Sequence, residues 1–163
     1  MDTTVLVAIV SASSVLLGAA VSQGSAMLQS WLDRRNKREI LLRTKYEELG
    51  LHFLESMKLS QSLLACSTHE ETLAVTHQES ANKAKMLAMV YFPELREPTG
   101  LYIASYSALC MNAISLYNPS DARVLGMQVY AKPEYIAARE THIDARSYLQ
   151  KQIENFAPKY AKS

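Results

Sequence analysis

From Val5 to Leu28 the chain runs 24 residues without one charged side chain, and Arg34, Arg35, Lys37 and Arg38 follow almost at once. That pairing constrains the fold more than any other feature. As a helix the uncharged run is about 36 Å long. A bilayer's hydrocarbon core is about 30 Å thick, so such a helix crosses it with some tilt. Its serines can bond back to helix carbonyls, which lowers their cost in lipid. Trp31 stands at the depth of an interfacial aromatic, just ahead of the bases.

The overall charge of +1 hides an uneven distribution. Residues 34–45 carry a net +5, and the segments on either side, 1–33 and 46–163, carry −2 each. Bases flank only the C-terminal end of the apolar run, which predicts that end on the cytoplasmic side of the inner (plasma) membrane and the N-terminus outside. A cleaved signal peptide needs positive charge before its apolar core, and only Asp2 precedes this one. The expected organisation is a transmembrane anchor over 1–32, a basic collar over 33–45 and a helical domain over 46–163. Trp31, Arg34, Arg35, Lys37 and Arg38 are the expected membrane-interface residues, with anionic lipid headgroups as their partner. An uncleaved first helix buried inside a soluble oligomer is the competing arrangement.

Within the anchor, Ser14, Gly18, Ser22 and Ala26 recur every four residues. Such a face of small side chains lets a second helix approach closely in lipid, and points to a homo-oligomer. The same spacing also arises by chance in an Ala/Ser-rich helix.

Beyond the collar the pattern is helical almost throughout, with no alternating strand signal, which predicts an all-α fold: the anchor, then a bundle of about four helices. Ile40, Leu42, Tyr46, Leu49, Phe53, Met57, Leu63 and Leu64 keep three- and four-residue steps, so the first helix is expected to reach about Ala65, with Gly50 as a weak point. Thr68-His-Glu-Glu71 has the form of a capping box and opens a second helix to about Phe92. Pro93 and Pro98 bracket a turn before a third helix at about 99–117. A brief helix is expected from Ser120, and Lys132-Pro-Glu134 starts a last one reaching about Phe156.

The layout of charge-poor span, basic collar and helical domain with Tyr91-Phe-Pro-Glu-Leu95 resembles a broad group of small, uncharacterised membrane-anchored proteins of bacteria and their phages. The resemblance implies the layout and carries no catalytic residue with it.

Chemistry leaves little trace in the chain. There is no Gly-rich phosphate loop, no G-x-S-x-G elbow and no H-E-x-x-H pair. Glu48, His52, Glu70, His77, Glu140 and His142 do not give the Glu-x-x-His pairs of a di-metal bundle, so no metal or cofactor is expected and the chain reads as no enzyme. His52, His69, His77 and His142 read as exposed polar positions. Cys66 and Cys110 match no zinc or redox spacing and read as buried free thiols. The collar lacks interleaved aromatics and the rest of the domain is acidic, which argues against nucleic acid. Two function classes remain. One is a structural or interaction protein that self-associates and docks an unidentified cytosolic protein, with Tyr102 and Tyr106, four apart on one helix face, as the candidate contact surface; ordinary bundle core with the hydroxyls at its rim is the competing reading of the same two residues. The other is a membrane-active effector of the phage-defence, exclusion or holin-like kind, suggested by the Ser-rich, weakly hydrophobic span.

Overall fold

Helix α1 runs Thr3–Ser56 in the computed structural model. The structure describes residues 3–77, 79–116 and 131–161, with side chains over 22–77, 79–115 and 131–161. After α1 come α2 (Leu59–Ala65), α3 (His69–Thr76), α4 (Ser80–Tyr91), a 3₁₀ turn (Pro93–Leu95), α5 (Arg96–Leu116) and α6 (Pro133–Tyr160). The fold is all-α, and the described residues contain no strand. The brief helix expected from Ser120 lies outside the described residues. The chain divides into two compact units, Met1–Leu41 and Leu42–Ser163.

The second unit is the helical bundle. Its long members are the end of α1 together with α4, α5 and α6, and α5 with α6 is its most extensive pair. One core cluster joins Phe53, Leu59, Leu63, Ala81, Tyr102, Leu109, Tyr135 and Leu149. A second joins Tyr46, Leu49, Ala88, Phe92 and Leu95. Cys66 and Cys110 are both buried in the first cluster.

The helix boundaries depart from the periodicity for identifiable reasons. α1 stops at Ser56 rather than running to Ala65, and α2 restarts at Leu59. On one continuous helix Leu59 would lie about 240° round from Phe53. The turn at Met57–Lys58 instead brings Leu59 and Leu63 into the cluster that holds Phe53. Gly50 interrupts nothing: it sits inside α1, and beyond its chain neighbours and its own helix's backbone no atom lies within 4 Å of where a Cβ would be. Gly50→Ala is therefore expected to raise stability by about 0.5–1 kcal/mol, seen as a higher urea midpoint. An unchanged or lower midpoint would contradict it.

The Thr68 half of the capping box is present at α3, where Glu71 N–H donates to Thr68 Oγ1 at 3.1 Å, and the Glu71 carboxylate accepts from the N–H of Ser67, one residue before the cap, at 2.7 Å. The expected second helix is two. α3 packs on α2 and α5, and α4 packs on α5 and the 3₁₀ turn. α5 starts at Arg96, with Pro98 in its first turn, where a missing N–H costs no helix bond. α6 outlasts Phe156 and passes through Pro158 because its last turn is tied down. Lys159 Nζ donates to Glu94, and Tyr160 Oη donates to Glu94 Oε2 at 2.8 Å. The Lys159 hydrogen bond, helped by a backbone N–H and Tyr160, holds the Glu94 carboxyl down to about 2.

Candidate functional site

Every described side chain from 22 to 41 is exposed. Met27, Leu28, Trp31 and Leu32 are large apolar residues exposed by half or more, and the pairs 27/31 and 28/32 are one helical turn apart. They form an apolar patch that ends where the bases begin. Arg35 lies over the Trp31 ring at 5.8 Å and donates to Glu39 Oε1 at 3.0 Å, so its charge is engaged within its own helix. Arg34 Nε donates to the Ser30 carbonyl at 3.2 Å. Among the described residues Arg34, Lys37 and Arg38 make no ion pair. Of the collar bases, Arg43 pairs with Glu47 and Lys45 with Glu48, so these three are the ones without a carboxylate partner among the described residues.

Among the described residues no helix is long and apolar enough to cross a membrane. Most of the uncharged run at 5–28 falls in residues 5–21, outside the described side chains. Ser14 and Gly18 of the small-residue stripe lie there too, while Ser22 and Ala26 are exposed. Ser25 Oγ donates to the Ser22 carbonyl at 2.8 Å, the back-bonding that softens a serine's polarity.

The candidate contact surface on α5 is corrected. Tyr102 is 0% exposed and Tyr106 6%, so both belong to the core and neither can meet a partner. The spacing of four did place them on one face, but α6 covers it. Tyr102 packs edge-on to Phe53 at 5.3 Å and lies 5.2 Å from the His142 ring, and Tyr106 lies 5.9 Å from the same ring.

His142 is also corrected, from an exposed position to one 1% exposed. A polar chain surrounds it. Ser56 Oγ donates to the Phe53 carbonyl at 2.6 Å, so the 2.8 Å contact between Ser56 and Tyr102 is donated by the tyrosine. Ser105 Oγ likewise commits its proton to the Tyr102 carbonyl at 2.8 Å. The 3.3 Å contact to His142 Nδ1 therefore needs the histidine as donor, which selects the Nδ1–H tautomer. Burial, with Arg146 a turn further on, pushes the His142 pKa down to about 4. A neutral, hydrogen-bonded imidazole behind a buried serine has no access to a substrate. The cluster works as a polar core.

The exposed face that the sequence pattern missed is on α4. This helix buries its small residues, Ser80, Ala81, Ala84 and Ala88, and exposes Met86 (60%), Met89 (48%) and Val90 (61%). Periodicity read from large apolar side chains puts the methionines inside. The signal that would have found the true face is the run of small residues at three- and four-residue steps, which lets α4 approach its neighbours closely.

Glu48 and His52 line a groove of about 410 Å³ with Glu79, Lys83 and Met86, whereas His77 lines a different cleft with Tyr106 and Cys110. Among the described residues no group of three His, Cys, Asp or Glu side chains could hold a metal ion. The fold defines an all-helical protein with an exposed basic helix segment and a bundle that buries a small polar cluster around His142. No family model matches the chain, and no curated protein or solved structure matches it at a significant level.

Proposed function

We propose that the chain is a membrane-anchored interaction protein without enzymatic activity. Residues 1–32 form a single span in the inner membrane with the N-terminus outside. The span self-associates, and the helical unit faces a cytosolic protein partner. The observation that carries this reading is the uncharged run at 5–28 followed by an exposed Trp31 patch and the bases Arg34, Lys37 and Arg38. Each base near an anionic leaflet contributes about 1 kcal/mol of attraction, so three of them fix the depth and direction of the anchor. The stripe of Ser14, Gly18, Ser22 and Ala26 supports self-association, and the likeness to small membrane-anchored bacterial and phage proteins agrees with the layout.

The partner surface in this reading is the Met86, Met89 and Val90 face of α4, which takes over the role first given to the tyrosines. Methionine suits such a surface because its flexible, polarisable side chain adapts to a partner's shape.

Fractionation tests the anchor. The full chain is expected to resist carbonate extraction and to keep its bundle protected from protease in intact cells, while a chain starting at Asp33 is soluble. A full chain found in the soluble fraction as a large assembly would make the first helix an oligomer core and end the membrane reading.

A further inference from the structure

We propose that the outward face of α1 in the helical unit, centred on Gly50 and Leu54, is a contact surface for a second copy of the chain, paired parallel. The inference rests on the anchor proposed above and adds an interface outside the span. Tyr46, Leu49 and Phe53 turn one side of α1 into the core. Arg43, Glu47, Gly50 and Leu54 follow steps of four, three and four along another side, with Leu51 beside them. Leu51 is 66% exposed and Leu54 56%, so the fold leaves both largely open.

Gly50 points to what covers this face. A glycine inside a helix weakens it, and the fold has no use for one here. Its φ is not positive, and beyond its chain neighbours and its own helix's backbone no atom lies within 4 Å of where a Cβ would be. The backbone is thus bare on a side that a side chain could fill, next to two open leucines. A bare backbone there lets a second helix approach closely and brings the leucines of both copies together across it.

Charge and area select a second copy. Arg43 pairs with Glu47 of its own helix at 3.1 Å, and both side chains are exposed. In a parallel pair about a two-fold axis, Arg43 of each copy also comes within reach of Glu47 of the other, so the two carboxylates are neutralised by two guanidiniums. An antiparallel pair crossing at Gly50 would instead set Glu47 against the other copy's Leu54. Copies held in one membrane share a direction, which gives the parallel pair. Two leucines and a glycine fall well short of the roughly 800 Å² per partner of a stable interface, so this face pairs copies that the anchor already concentrates.

The test is disulfide cross-linking of the full-length chain in native membranes with copper phenanthroline. Cys66 and Cys110 are buried, so wild type sets the background. Two-fold parallel pairing puts each residue of the face near its own equivalent, so Leu51→Cys and Leu54→Cys are expected to give covalent dimers. Glu140→Cys, exposed on α6, measures chance encounters and is expected to give none above background. Adding Gly50→Leu to Leu54→Cys places a side chain where the second backbone approaches, and should bring the dimer down to the Glu140→Cys level. Its helical circular dichroism should match wild type, which separates a blocked approach from a lost fold. Gly50→Ala, which stabilises the fold, should lower the dimer part of the way and keeps a readout if the leucine variant misfolds. A membrane-bound Leu54→Cys chain that cross-links no more than Glu140→Cys, or that ignores both Gly50 substitutions, would overturn the pairing and leave the anchor standing. Recovery of the chain in the soluble fraction would overturn the anchor and this inference with it.

Discussion

Tyr102→Ala is expected to destabilise the helical unit by about 3–5 kcal/mol, the scale for truncating a buried aromatic ring. The ring is fully buried and packs against Phe53, Tyr106 and His142, so truncation removes contacts to α1, to its own helix and to α6 together. The hydroxyl contributes less than the ring. In Tyr102→Phe, Ser56 still donates to the Phe53 carbonyl and loses only an accepted bond, so the cost should be about 1 kcal/mol. Urea unfolding followed by helical circular dichroism separates the two. If Tyr102→Ala costs no more than about 0.5 kcal/mol, the residue behaves as a surface position and the packing described here is wrong.

The reversal at Tyr102 indicates what was legible in the sequence. Spacing of four correctly placed Tyr102 and Tyr106 on a shared face of α5. Whether that face meets solvent or a neighbour depends on α6, whose His142 is 40 residues from Tyr102 in sequence and 5.2 Å from it ring to ring. Tyrosine adds to the difficulty, since its apolar body and polar tip suit a wet interface and a hydrogen-bonded core equally well. The all-helical class, the capping box at Thr68 and the start at Pro133 were legible because each is written in local chemistry.

Tertiary contacts decided the rest. The stop at Ser56 comes from the demand that Leu59 and Leu63 join the cluster of Phe53, which a stripe measured along one helix cannot express. The continuation of α6 past Pro158 depends on Glu94, 65 residues from Lys159. On α4 the face was not legible from large apolar side chains: the alanines pack and the methionines stay outside. The collar was better legible, as exposure of Trp31 and of all the bases between 34 and 38 follows from their chemistry. Pairing is the part that was not legible: Arg35 is engaged by Glu39 and the Trp31 ring, Arg43 by Glu47 and Lys45 by Glu48.

Acidification should weaken the bundle before any carboxylate is involved, and His142 is the group responsible. Its folded pKa is about 4 against an ordinary 6.5, so between these values the unfolded chain binds a proton that the folded chain excludes. The stability is fully present above pH 6.5 and is lost as pH falls. The loss is about 2 kcal/mol by pH 5 and about 3 kcal/mol once pH passes below 4. The groups around the imidazole explain the direction. Tyr102, Ser105 and Tyr106 face it from α5, none of them a carboxylate, and Arg146 on α6 repels a second positive charge. Glu94, the shifted carboxylate, acts in a lower window, since its pKa of about 2 against 4.5 leaves it ionised throughout pH 5–7. His142→Asn keeps an N–H donor for Ser105 and removes the titration. Urea midpoints at pH 7, 6 and 5 should therefore fall in wild type and stay level in the variant over this range. Parallel curves for the two proteins would show that the imidazole is not the group that takes up the proton.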